Sequence, residues 1–205
     1  GENTALLPGD VMLVTAYEEL NKINIEHLQS ILLLCNRTAK EVCEGQQMDM
    51  DFEKRETVAM DEYVQMITLK TSVLLAASLQ LGAILGGAGE GNQQHLYEFG
   101  KNLGVAFQVQ DDYLDAFGNP EKFGKKVGGD ILANKKTFLM IHAFETAKPA
   151  QLKELKELIK INAADKVERV LQIFKDCKVD DWAKELKNKY LQTALKHLED
   201  TAVLS

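Results

Sequence analysis

The sequence predicts an all-α protein. No Asn-Gly or Asp-Gly hairpin turn occurs, and period-two runs of β-branched residues are missing. Only three prolines occur, Pro8, Pro120 and Pro149, each where a helix is expected to begin or end. The spacing of apolar residues fits helix faces from about Asn3 to the C-terminus.

A first helix is expected from about Pro8 to Asn21. A second, from Glu26 to about Glu44, carries Ile31, Leu32, Leu33, Leu34 and Cys35. It is apolar nearly all round, which predicts a central position. Asp49 to Thr57 is charged and reads as a connection. Asp61 and Glu62 open a third helix, where acidic residues suit the positive end of the dipole. It runs through Ile67, Leu69, Val73 and Leu79 to about Leu85. Glycines at 86, 87, 89 and 91 then break the chain. A fourth helix spans about Gln93 to Phe117. Gly118 to Asp130 reads as a loop rich in glycine and lysine. A fifth helix begins near Ala133 and closes at Lys148-Pro149, and two or three shorter amphipathic helices follow. No repeat and no linker appears, so residues 1–205 read as a single helical domain.

A chain of 205 residues, 45% hydrophobic and 27% charged, is large enough for a sizeable core. Its net charge of −7 argues against a nucleic-acid partner, which would need a basic face. An anionic substrate stays open, because local lysines and a bound cation invert the local potential. Cys35, Cys43 and Cys177 lack zinc-like spacing and read as buried free thiols in a reducing compartment. The most apolar stretch, Val73 to Gly87, is shorter than the roughly 20 residues a bilayer span needs. No basic leader with an apolar core is visible. The expectation is a cytoplasmic protein without a transmembrane segment.

The richest segment runs Phe107-Gln108-Val109-Gln110-Asp111-Asp112-Tyr113-Leu114-Asp115. Asp111 and Asp115 lie one helical turn apart on one face, with Gln108 a turn earlier. Like charges at that spacing destabilise a helix unless a cation lies between them. Carboxylate oxygens with room for water and phosphate suit Mg²⁺. Three aspartates alone would more often be a solvated face. The apolar and aromatic flanks Val105, Phe107, Val109, Tyr113 and Leu114 favour a cavity wall instead. A calcium-loop reading fails, since its spacing and central glycine are absent.

Lys70 lies in a helix apolar on most sides. Either it snorkels to solvent, or it enters a central cavity where an anion compensates its charge. Lys125, Lys126, Lys135 and Lys136 are either ordinary surface lysines or half of a diphosphate site. Gly124, Gly128 and Gly129 favour the second reading, since glycine lets backbone N–H groups approach phosphate. Gln46 and Asp49 read as capping and turn residues on their own. Tyr63, Met66 and Met48 read as core. His27, His95, His142 and His197 form no cluster in sequence and receive no catalytic role.

Taken together, these segments resemble the trans-isoprenyl diphosphate synthases, the polyprenyl synthetases that include farnesyl and geranylgeranyl diphosphate synthases. The likeness centres on the family's second aspartate-rich motif. It takes in Phe107-Gln108 before the aspartates and Gly124-Lys125, Asp130 and Asn134-Lys135 after them. Lys70-Thr71 and Gly45-Gln46 with Asp49 also fit, and nearly the whole chain is covered. The resemblance implies an isoprenoid-synthase-type helical bundle and a homodimer. It implies Mg²⁺-dependent, head-to-tail condensation of isopentenyl diphosphate with an allylic prenyl diphosphate, giving a short all-trans product and free diphosphate. In this scheme Asp111, Asp112 and Asp115 hold Mg²⁺, and Lys70, Lys125 and Lys135 contact diphosphate. Thr71 and Gln108 turn oxygen dipoles toward the developing carbocation. Gln46 and Asp49 sit at the mouth of the metal site, with Asp130 as a further supporting group. Released diphosphate serves as the base.

The family's first aspartate-rich motif and the arginine pair after it are absent from these residues. The sequence therefore reads as a C-terminal portion of the bundle, expected to have little or no synthase activity alone. The alternative is a non-catalytic partner or regulatory subunit of a complete prenyl synthase. A terpene cyclase would also use aspartate-rich sites, but the Lys125 to Lys135 region fits the chain-elongating enzymes better.

Overall fold

Local chemistry sets several of the helix ends. The Thr137 hydroxyl accepts the Met140 N–H at 3.4 Å and caps the helix that starts at Phe138. Glu62 accepts the Ala59 N–H at 3.0 Å at the start of another. Pro149 is the first residue of its helix, where its missing N–H has no partner to lose.

A computed structural model describes residues 2–119, 127–161 and 163–201, with side chains from residue 7 onward. Every regular element among them is helical: α1 (Glu2–Leu20), α2 (Ile25–Glu53), α3 (Met60–Ile67), a π turn (Thr68–Ser72), α4 (Val73–Leu85), α5 (Glu90–Phe117), α6 (Gly129–Leu132), α7 (Phe138–Thr146), α8 (Pro149–Leu158), α9 (Lys166–Asp176) and α10 (Val179–Glu199).

Several borders differ from expectation. Pro8 lies inside α1 rather than at its start. Only one backbone bond is lost there, because proline lacks the N–H that would reach back one turn. α2 runs on to Glu53, so Gln46 and Asp49 are helical and not turn residues. Nothing between them breaks a helix, and buried Phe52 ties the last turn to the core. The fifth helix, expected from near Ala133, starts only at Phe138 as α7, and the short α6 forms at the end of the expected loop. α10 is long because packing on α5 along its length supports it.

α5 is the central helix, packed on α10 and α4, while α2 packs on α4 and the π turn. Two clusters form the core. One holds Val105 and Val109 of α5 with Phe138, Leu155, Val170 and Phe174. The other joins Ile31 and Leu34 of α2 to Ala76, Ile84 and Tyr97. The central place expected for α2 is therefore wrong: only one of its faces is covered, and Leu33 is 65% exposed. Apolar composition alone cannot tell a covered face from an open one.

Met60–Leu85 forms one continuous run of 26 residues through the π turn, long and apolar enough to cross a membrane by length and composition. The run matches the helix expected from Asp61 to about Leu85, and a core helix of a folded protein meets the same length and composition. Within the fold, Ile67, Val73, Ala76 and Ile84 of this run are buried. All three cysteines are free, but Cys43 is exposed and Cys35 and Cys177 are half-buried, so they are not the buried thiols expected. Two histidines pair only in space: His95 Nδ1 lies 3.2 Å from His197 Nδ1, joining α5 to α10. His142 stacks on Trp182 with ring centres 3.9 Å apart.

Candidate active site

α2, the π turn, α5 and the segment around α6 enclose a cavity of about 300 Å³. The π turn gives it much of its character. The Val73 N–H reaches back to Thr68 O, which inserts one extra residue into the turn. Lys70 and Thr71 of this turn, consecutive in sequence, both line the cavity. α2 comes close enough to matter because residue 45 is glycine: a Cβ there would overlap the Lys70 backbone nitrogen. One turn further on, Asp49 accepts from Lys70 Nζ at 2.5 Å. Lys70 thus lines the cavity, partly exposed and paired with Asp49.

The three aspartates of α5 have different surroundings. Asp111 is exposed at the cavity rim. Asp115 is half-buried and accepts the Asp130 N–H at 3.0 Å. Burial pushes its carboxyl up; that N–H opposes the shift, while the charge of Asp130 adds to it. Asp112 is 3% exposed. One of its oxygens accepts from Gln108 Nε2 at 2.9 Å, and the other from Tyr63 Oη at 3.1 Å and the Phe138 N–H at 3.4 Å. Burial pushes Asp112 up to about 7 against the Gln108 and Tyr63 hydrogen bonds. One carboxyl thus ties α3, α5 and α7 together. It also sets the Gln108 amide: with its nitrogen turned to Asp112, its oxygen is the atom left for the cavity.

Asp130 and Lys135 reach the cavity from the other side and pair at 2.6 Å. That hydrogen bond to Asp130 raises the Lys135 pKa. Lys136 points elsewhere, toward Glu53 O at 3.4 Å. Gln46, though helical, is exposed and does not line this cavity. Lys125, with Gly124 and Lys126, lies outside the described residues. Met66, Ile67 and Leu114 supply an apolar wall.

The sequence reading missed the polar role of Tyr63. A buried tyrosine hydroxyl needs a partner, but nothing in sequence points to Asp112, 49 positions away. It named Asn134 in the family motif but missed its contact with Lys166, which spans 32 positions.

The donor set fits Mg²⁺. Among the described residues no three His, Cys, Asp or Glu side chains meet as a protein-only metal cage. Mg²⁺ does not need one, since it takes one or two carboxylates and completes its shell with phosphate and water. The charge of Asp130 raises both Asp112 and Asp115, a mutual repulsion that a divalent cation relieves.

An all-α bundle with this carboxylate- and lysine-lined cavity has the architecture of the isoprenoid synthases. The chain belongs to the polyprenyl synthetase family, whose model matches residues 1–177. It is 34% identical over 201 residues to a geranylgeranyl diphosphate synthase of Methanosarcina mazei, covering 97% of this chain and 61% of that protein. It is 40% identical over 160 residues to a short chain isoprenyl diphosphate synthase of Methanocaldococcus jannaschii, covering 78% of this chain and 49% of that one. Among solved structures, a geranylgeranyl pyrophosphate synthase superposes with a TM-score of 0.91 at 42% identity, covering 98% of this chain and 63% of that one. The enzyme from Pyrococcus horikoshii gives 0.91 at 33% identity, covering 97% and 61%. The chain thus spans about half to three fifths of the length of these curated relatives.

Proposed function

We propose that this chain supplies the second-aspartate-motif wall of a short-chain trans-prenyl diphosphate synthase. The enzyme would join isopentenyl diphosphate to an allylic prenyl diphosphate and release diphosphate. The observation that carries this reading is the meeting of Lys70, Thr71, Gln108, Asp111, Asp115 and Lys135 around one cavity.

Each residue has a task that follows from its setting. The ammonium groups of Lys70 and Lys135 attract and orient diphosphate oxygens, exchanging Asp49 and Asp130 for the substrate. Lys125 is assigned to the same task by its family motif. The Gln108 amide oxygen and the Thr71 hydroxyl face positive charge developing on the allylic carbon. Met66, Ile67 and Leu114 keep water from that carbon, which water would otherwise trap as an alcohol. Asp111 and Asp115, with Asp112 behind them, would hold Mg²⁺, which would supply positive charge against the leaving diphosphate. A homodimer belongs to this reading; the exposed Leu33 of α2 and Leu74 and Leu75 of α4 support an apolar contact there.

Lys70→Ala is expected to lower kcat/KM for the allylic substrate about a hundredfold in an active form, the loss of a charge-assisted contact. Unchanged kinetics would return Lys70 to a purely structural pairing with Asp49. Residues 1–205 alone are expected to give little or no product, because the first aspartate-rich motif that faces this wall in the family is not among them. Robust turnover by a sample of intact mass near 22.9 kDa refutes that expectation. Turnover only on mixing with a complete synthase would make the chain a partner subunit.

A further inference from the structure

The first turn of α9 lies beneath the segment that brings Asp130 and Lys135 to the cavity. Two residues bracketing α6 have left-handed backbone, Gly128 at φ 85° and Asn134 at φ 56°. Each rests on a neighbouring residue of α9. A Cβ at Gly128 would stand 2.5 Å from a Val167 methyl, so the chain there is as close to α9 as glycine permits. At the other end, Lys166 Nζ donates to Asn134 Oδ1 at 2.7 Å and to Ile161 O at 3.4 Å.

Lys166 is 1% exposed, and no carboxylate pairs with it among the described residues. Burial pushes its pKa down. A cation buried against neutral acceptors alone is an unfavourable arrangement for stability. A methionine would fill similar space without that penalty. What the ammonium adds is a directed hydrogen bond to the side chain of a left-handed asparagine. Asparagine visits that region more readily than most residues but does not prefer it.

We propose that Lys166 is a positioning residue: through Asn134 it fixes the turn that presents Lys135 to the diphosphate site. The link is short. The Asn134 N–H donates to Ile131 O at 3.2 Å and the Lys135 N–H to Asp130 O at 3.0 Å. The turn is closed on itself, so the backbone angle at Asn134 sets where Lys135 leaves the chain. Held this way, the Lys135 ammonium meets Asp130 at the cavity. The inference rests on the reading of that cavity as a diphosphate site.

The test is calorimetric titration of the chain with pyrophosphate and Mg²⁺, comparing native protein, Lys166→Met, Lys166→Met with Asn134→Gly, Lys135→Ala, and Lys135→Ala with Lys166→Met. Lys166→Met is expected to weaken binding about tenfold, one directed charge-assisted hydrogen bond. Glycine at 134 restores most of that loss, because glycine holds a left-handed turn unaided. In the Lys135→Ala background, Lys166→Met adds nothing further. An unchanged affinity, no rescue by glycine, or an equal loss with and without Lys135 overturns the proposal. If Lys166→Met does not fold, Asn134→Ala takes its place: a tenfold loss supports the proposal and an unchanged affinity overturns it. A native chain that binds with no effect of Lys135→Ala removes Lys135 from the diphosphate site, whatever Lys166 does. A native chain that does not bind pyrophosphate overturns both.

Discussion

Replacing Asp111 with alanine is expected to abolish Mg²⁺-dependent pyrophosphate binding and to cut turnover of an active form about a thousandfold or more. Stability should barely change. Asp111 is exposed at the rim, with no hydrogen-bond or ion-pair partner among the described residues. It also sits one turn from Asp115 on the same helix, where like charges repel. Removing it therefore leaves folding within about 0.5 kcal/mol of the native chain. Asp112→Ala makes the contrast. It would strand the Tyr63 hydroxyl, the Gln108 amide and the Phe138 N–H, two of them buried. Both stability and binding should then fall, by about 1–3 kcal/mol of stability for each buried group left unpaired. Calorimetry with and without Mg²⁺, alongside thermal melting, reads both quantities. Mg²⁺ dependence that survives in Asp111→Ala would remove that residue from the metal site.

Gly45→Ala is expected to destabilise the chain by about 3 kcal/mol, at the upper end of overpacking effects. The reason is that backbone meets backbone. A Cβ at residue 45 would overlap Lys70 N and stand 2.8 Å from Leu69 C and Lys70 Cα, with no flexible side chain able to yield. α2 must move away from the π turn, and the Lys70–Asp49 pair must stretch with it. The melting temperature should fall by about 6–12 °C for a chain of this size. Gly82→Ala is the control. It lies within α4 with nothing inside 4 Å of a new Cβ, so it should hold or raise the melting temperature through helix propensity. A melting temperature unchanged in Gly45→Ala would mean that α2 and the π turn do not meet this closely in solution.

The helical class and most helix cores were legible because helix formation is written in local periodicity. The aspartate segment was legible for the same reason, since residues one turn apart share a face whatever surrounds them. Helix ends were less so. The charge of Asp49 to Thr57 suggested a connection, yet α2 runs through Gly45 to Glu53, with Gly45 and Phe52 both buried against the rest of the fold. Lys70 and Thr71 were picked out by their family motif. Only packing against α2 and α5 shows that both line one cavity, as consecutive Asp111 and Asp112 of α5 also do.

By itself, the sequence determined an all-helical chain and its family, and it singled out a set of carboxylates and lysines. Tertiary structure decided how those groups divide their work. Asp111 faces solvent at the rim, whereas Asp112, its neighbour, is buried and bound to Tyr63, Gln108 and Phe138. Lys135 reaches the cavity and Lys136 does not. Lys166, unremarkable in sequence, is buried against Asn134. The physical reason is that periodicity fixes which side chains share a face. Burial and hydrogen-bond partners depend on segments tens of residues away, and only packing brings those together.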